Sequence, residues 1–188
     1  MMCSRDNIIR IARRMAALDL VTGTLGNVSC RLGDRLLITP SGLEYATMCP
    51  EDLVLLDLSG HVVEGDRPPS SEVRLHLAIY KSLSDVRAIV HTHSPQAVTA
   101  GDVKSKLPTT DSTVLRASVY VAPYQPPGTQ ELADQAVELL VEHEANAVIL
   151  ERHGVIGVGR DLDEALKVCQ DVERLAKIST TRAGHRLG

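Results

Sequence analysis

The chain has 188 residues, a formal net charge of −4 at pH 7, 44 % hydrophobic and 23 % charged residues, a balance that fits one globular domain over residues 1–188 with a core of its own. It has no Trp, no Phe and no long basic run, so it lacks the stacking rings and positive field of a nucleic-acid binder. No apolar stretch approaches the roughly 20 residues that cross a bilayer, so the expected partners are small molecules, with no nucleic acid and no membrane.

The N-terminus, Met1 to Arg14, is charged and amphipathic and lacks the apolar core of a signal peptide. Cys3, Cys30, Cys49 and Cys169 form no C-x-x-C pair, which reads as four free thiols in a reducing cytoplasm. Residues 5–18 carry Ile8, Ile11, Ala12 and Met15 at helical spacing. VTGTLGNVSCR (21–31) is a Gly-rich turn running into a strand, and RLLITPSG (35–42) is a strand ending in a loop. DLVLLDLSGHVVEG (52–65) alternates on both sides of Ser59-Gly60 and predicts a hairpin.

Pro68 and Pro69 stop that segment, and Ser70 or Ser71 is a candidate N-cap for a helix carrying Val73, Leu77 and Tyr80. VRAIVHT (86–92) is a short buried strand, and ASVYVAPY (117–124) is another. Residues 126–143 predict a helix with Thr129 as N-cap. NAVILERHGVIGVG (146–159) predicts two strands joined by a charged turn, and 161–178 a final amphipathic helix. Hairpins mixed with helices point to an α/β class with a largely antiparallel sheet.

The run AIVHTH ends in two histidines one residue apart. Side chains alternate along a strand, so His91 and His93 share a face and can reach one ion, with Thr92 opposite. Neutral imidazole suits Zn2+, which needs a third protein ligand for a catalytic site. His153 is the candidate, since it too follows a buried run, with Gly154 allowing a sharp turn. Glu72 is the nearest carboxylate candidate, in the first turn of its helix. His61, His76, His143 and His185 lie in hairpin, helix or tail contexts and read as structural or solvated. Gly26-Asn27, Ser41-Gly42 and Ser70-Ser71 each offer N–H groups at a loop or helix start. Taken singly, each fits ordinary turn and capping chemistry as well as phosphate binding.

The order GTLGNVSCR, ITPSG, PSSE, HTH, APY, RHGVIGVG resembles the class II aldolase family, typified by L-fuculose-phosphate aldolase in the class II aldolase/adducin superfamily. The resemblance covers about residues 5–178. It implies a three-layer α/β fold with a central, mostly antiparallel sheet flanked by helices. It also implies one Zn2+ per subunit, held by His91, His93 and His153. Glu72 is implied as catalytic acid/base and as a further metal ligand when substrate is absent. Gly26, Asn27, Ser41, Gly42, Ser70 and Ser71 match the family's phosphate-binding positions. The implied reaction is zinc-dependent cleavage of a ketose 1-phosphate, L-fuculose 1-phosphate-like, to dihydroxyacetone phosphate and an aldehyde through a metal-stabilised enediolate. That chemistry needs no Schiff-base lysine, and none of the matching motifs contains one. The family implies a homotetramer with each active site near a subunit boundary.

Two departures concern the aldehyde side. The family's tyrosine before the APY strand has no counterpart in KLPTTDSTVLRAS (106–118), and Tyr120 and Tyr124 lie beyond it. The family usually continues into a C-terminal tail, whereas only STTRAGHRLG follows the last helix here. A sugar-phosphate 4-epimerase and a methylthioribulose-1-phosphate dehydratase of the same superfamily are the alternative enzymes; the epimerase branch resembles SSD where this chain has SSE. A non-catalytic adducin-like scaffold is the alternative of another class, but such domains lack the zinc histidines.

Overall fold

The computed structural model describes residues 3–109 and 112–184. Helix α1 (Arg5–Ala17) begins at Ser4, whose hydroxyl accepts from Asn7 N–H. Strands β1 (Asn27–Leu32), β2 (Arg35–Ile38), β3 (Val54–Asp57) and β4 (Val62–Glu64) follow as an antiparallel meander. Its last turn holds Ser59-Gly60, and the Asp57 carboxylate accepts from Ser59 and His61 N–H. Helix α2 (Val73–Ser82) leads to β5 (Ala88–Thr92), α3 (Pro95–Gly101), β6 (Lys106–Leu107) and β7 (Val119–Ala122). Helix α4 (Gln130–Glu142), capped by Thr129, then precedes β8 (Ala147–Leu150), β9 (Gly154–Gly159) and α5 (Leu162–Gly184).

Among the described residues the strands form one sheet in the order β4-β3-β2-β1-β5-β9-β8-β7-β6. Every pairing is antiparallel except β7 with β8. Strand alternation splits the core into two layers of side chains. Val28, Cys30, Ala88, Val90 and Val155 pack with α1, α3 and α5 on one face. Leu36, Ile38, Ile89, Val148 and Ile156 pack with α2 and α4 on the other. The architecture is the expected three-layer α/β arrangement.

The expected elements are present. α3 and β6 were not foreseen in the stretch after His93. α3 is short, and the N–H groups of Gln96 and Ala97 are satisfied by the Glu173 carboxylate of α5, a partner local sequence does not reveal. β6 is two residues long and pairs only with β7.

The cysteine reading needs correction. Cys3 and Cys30 are joined in a disulfide, and only Cys49 and Cys169 are free. The segment before α1 runs beside β1 and brings the two Cα atoms to 5.7 Å across 27 residues of sequence, a proximity that spacing motifs do not encode. Closing a loop of that length constrains the unfolded chain by about 3.5 kcal/mol. Oxidised protein is therefore expected to melt on the order of 10 °C above reductant-treated protein. Identical melting temperatures would show that the bridge carries no stability.

Candidate active site

β5 lies between β1 and β9, and its register sets His91 opposite Asn27 on one side and Ile156 on the other. Alternation sends Ile89, His91 and then His93 toward the α2 face, while Val90 and Thr92 face α5. His153 arrives from the turn after β8, where its N–H bonds the Leu150 carbonyl at 3.1 Å. The left-handed position of that turn is Arg152, at φ 54°, not Gly154. Gly154 is needed for a different reason: a Cβ there would strike the Thr92 carbonyl and the His91 ring. Gly26 plays the same part from the other side, since its Cβ would sit 2.6 Å from the His91 carbonyl oxygen.

The three imidazoles form a near-equilateral cluster, with centroids 4.8, 4.9 and 5.0 Å apart. Glu72 closes it: Oε2 lies 2.9 Å from His91 Nε2 and Oε1 3.1 Å from His153 Nε2. One ligand atom from each of Glu72, His91, His93 and His153 falls within 4.8 Å of the others. Glu72 occupies the N-cap position of α2 without a side-chain cap bond. The expected serine caps are therefore displaced. Ser70 Oγ instead accepts from Glu72 N–H, and the carboxylate is turned to the histidines.

The protonation pattern suits a cation. His91 Nδ1 bonds the Val155 carbonyl at 3.0 Å, so Nδ1 carries a proton and Nε2 is the atom turned to the carboxylate, an N–H donor to it while the ring is protonated and a lone pair for a metal once that proton leaves. Neither His91 Nε2 nor Glu72 Oε1 has a directed hydrogen-bond partner, although both are buried. His91 Nε2 and Glu72 Oε2 stand 2.9 Å apart, so a positive charge, a proton or a metal ion, belongs between them. Burial by itself would raise the Glu72 pKa, but His91 and His153 override it and hold the carboxyl well below its usual range. Burial opposes charge on His91, yet Glu72 and the Val155 carbonyl push its pKa up. Burial, then the charges of His91 and His153, push His93 down to about 3, leaving its lone pair free. Three imidazoles and a carboxylate fit a divalent metal of the zinc type.

All six loop candidates meet at this centre. Gly26, Asn27, Ser41, Gly42, Ser70 and Ser71 line a cavity of about 310 Å³ together with Glu72, His93 and His153. His91 is fully buried behind them. Backbone bonds hold the loops in register: Ser41 N–H to the Pro68 carbonyl and Ser70 N–H to the Thr39 carbonyl. Tyr45 OH lies within hydrogen-bond distance of the Leu25 and Gly26 carbonyls, and burial raises its pKa, so the phenol stays protonated and donates to this loop. Asn27 does more than wall the cavity. Its Nδ2 donates to Glu72 Oε2 at 3.1 Å.

Five lining residues were not foreseen: Thr24, Leu25, Pro40, Pro127 and Arg152. Arg152 lies over the Tyr124 ring at 4.4 Å. Its side chain reaches the rim from a left-handed turn, which sequence periodicity does not show. Neither Tyr120 nor Tyr124 lines the cavity; Tyr120 stacks on His143. His61 is exposed beside Asp57, and His185 lies outside the described residues. His76 is structural rather than solvated, being fully buried and bonded to Asn27 and Ser29.

Burial, with help from the His91 charge, lowers the His76 pKa from 6.5 to about 3. The unfolded chain therefore binds a proton between those values that the folded chain refuses. This stability is complete above about pH 6.5 and is lost as pH falls toward about 3, at up to about 1.4 kcal/mol per pH unit. Denaturant midpoints of metal-free protein across this window are expected to fall with acid. His93, pushed down to about 3 as well, titrates in the same window, so a flat profile would contradict both shifts.

The model of the Class II Aldolase and Adducin N-terminal domain family matches residues 6–180. The chain belongs to that family. A 5-deoxy-D-ribulose 1-phosphate aldolase from Bacillus thuringiensis serovar kurstaki is 39 % identical over 93 % of this chain and 83 % of its own length. A 5-methylthioribulose-1-phosphate/5-deoxyribulose-1-phosphate aldolase from Rhodospirillum rubrum is also 39 % identical, over 92 % of this chain and 78 % of its own. A solved L-fuculose 1-phosphate aldolase superposes with a TM-score of 0.92 at 32 % identity, covering 98 % of this chain and 89 % of that one. This class II protein is an aldolase, an aldehyde-lyase, and the resemblance seen in the motifs is confirmed. Among the described residues no helix is long and apolar enough to cross a membrane.

Proposed function

We propose that this aldolase uses zinc, one per chain, to cleave a terminally deoxygenated ketose 1-phosphate into dihydroxyacetone phosphate and a short aldehyde. The observation that carries the reading is the Glu72–His91–His93–His153 cluster, whose buried Nε2 and Oε1 atoms lack directed partners. Phosphate recognition is assigned to the Gly26/Asn27, Ser41/Gly42 and Ser70/Ser71 loops, which share the cavity. The apolar Leu25, Pro40 and Pro127 among the lining residues suit a methyl terminus. The named substrates of the relatives, 5-deoxyribulose and fuculose 1-phosphates, both end in one. A homotetramer of single-domain subunits completes the reading by family likeness.

Bound at His91, His93 and His153, the metal supplies Lewis-acid polarisation of the substrate carbonyl. The chain supplies the rest. The loops hold the phosphate end, and fixed N–H groups and hydroxyls there orient the sugar without reorganisation. Glu72, ionised and beside the cavity, accepts the C4 hydroxyl proton as the C3–C4 bond breaks and returns it to C3. Arg152 is the one Lys or Arg among the residues lining the cavity, and adds positive potential at its rim.

The test is dihydroxyacetone phosphate release from 5-deoxy-D-ribulose 1-phosphate and L-fuculose 1-phosphate, measured separately. Release from either supports the reaction, and the larger kcat/KM names the aldehyde. Release from neither, in zinc-loaded protein, contradicts it. Ser71→Ala is expected to raise KM for the phosphorylated ketose several-fold with little change in kcat, as loss of a hydrogen bond to a charged group predicts. An unchanged KM would remove Ser71 from the phosphate site.

A further inference from the structure

We propose that His76 is a positioning residue for Glu72, acting through Asn27; the inference rests on the acid/base role given to Glu72 above. Glu72, His76 and Tyr80 are spaced four apart and form one stripe along α2. Such residues stand about 6 Å apart along a helix axis. Asn27 and Ser29 are two apart on β1, a step of about 6.7 Å. The matching rises let the helix stripe and the strand stripe interlock as a ladder of polar groups. Asn27 Nδ2 lies 3.1 Å from Glu72 Oε2, and His76 Nε2 lies 2.5 Å from Asn27 Oδ1. Ser29 Oγ lies 2.7 Å from His76 Nδ1 and 2.8 Å from Tyr80 OH. All four members behind the carboxylate are buried: Asn27, Ser29, His76 and Tyr80.

One assignment of protons satisfies every contact. An ionised carboxylate can only accept, so Asn27 turns its NH2 to Glu72 and its oxygen to His76. His76 Nε2 must then be the donor, and its Nδ1 must accept from Ser29 O–H. Ser29 Oγ in turn accepts from Tyr80 O–H. Every donor therefore points toward Glu72. An amide by itself has no preference between its two faces. The Nε2–H of His76 is what penalises the flipped amide, in which two donors would meet at His76 and two acceptors at Glu72. Without that donor, Asn27 Oδ1 is left buried and unpaired, and the carboxylate loses a fixed partner. His76 does not line the cavity, and the side-chain hydrogen bond by which it acts on the carboxylate runs through the amide.

The experiment compares zinc-loaded wild type, His76→Leu, His76→Gln and Glu72→Gln, with kcat, KM and zinc per chain measured for each. Loss of the donor in His76→Leu is expected to lower kcat 10- to 100-fold, the range for outer partners of site ligands, with KM changed less than 3-fold and one zinc retained. His76→Gln, whose amide can still donate to Asn27, is expected to recover most of that loss. Equal kcat in His76→Leu and wild type, with Glu72→Gln impaired, overturns the positioning role alone. Wild-type turnover in Glu72→Gln overturns the acid/base reading itself. Should His76→Leu fail to fold, long-range ¹⁵N–¹H correlation in wild type decides: an Nε2-protonated, slowly exchanging His76 supports the chain of donors, and an Nδ1-protonated ring overturns it.

Discussion

His91→Ala is expected to abolish metal retention: chelator-washed protein should carry less than one tenth of an equivalent of zinc, and activity should fall with it. The reason is the donor count. His91 is fully buried and its Nδ1 is held by the Val155 carbonyl, so Nε2 is a fixed donor with no freedom to turn away. Removing it leaves two histidines and a carboxylate that must also serve the substrate, and two imidazoles hold zinc poorly against a chelator. It also leaves Glu72 Oε2 with Asn27 as its remaining close partner among those described. Stoichiometric zinc in this variant would show that the ligand assignment is wrong.

Glu72→Gln is expected to keep the fold and the zinc but to lower kcat by roughly 10²–10⁴-fold, the usual worth of a positioned acid/base. The amide is nearly isosteric with the carboxylate, so the cavity keeps its shape. What is lost is a group that exchanges protons, held ionised by the neighbouring imidazoles against its own burial. An equal fall in kcat and kcat/KM marks a group acting in the transition state rather than in binding. Wild-type turnover would remove Glu72 from the mechanism.

The parts of the site that were legible in the sequence are those fixed by local geometry. His91 and His93 share a face because a strand has period two, and the register then sets Asn27 beside His91. His153 was legible because a buried run precedes it. The loop pairs were individually ambiguous and became persuasive only as an ordered series of motifs. The parts that were missed depend on contacts far apart in sequence. The Cys3–Cys30 bridge needs the N-terminal segment laid along β1. α3 needs the Glu173 carboxylate from α5 to accept its first N–H groups. Gly154 was read as a turn residue because glycine usually signals one, whereas here it admits the Thr92 carbonyl. His76 was set aside as structural or solvated. The spacing of Glu72, His76 and Tyr80 was a readable signal, but its meaning required knowing that the α2 stripe faces Asn27 and Ser29.

The aldehyde side was the least legible in the sequence. Tyr120 and Tyr124 do not line the cavity, so neither stands in for the family's tyrosine there. Thr110 and Asp111, within the stretch that lacks the tyrosine, lie outside the described residues. Thr24, Leu25, Pro40, Pro127 and Arg152 are the further residues the fold brings to the cavity lining.

The most direct test is a titration of zinc into chelator-stripped wild-type protein, reading bound zinc per chain together with dihydroxyacetone phosphate release from 5-deoxy-D-ribulose 1-phosphate. Release is expected to be absent without metal and to rise in step with occupancy to a plateau at one zinc per chain. Full release from metal-free protein, or a plateau of bound zinc that leaves release unchanged, would contradict a reaction centred on Glu72, His91, His93 and His153.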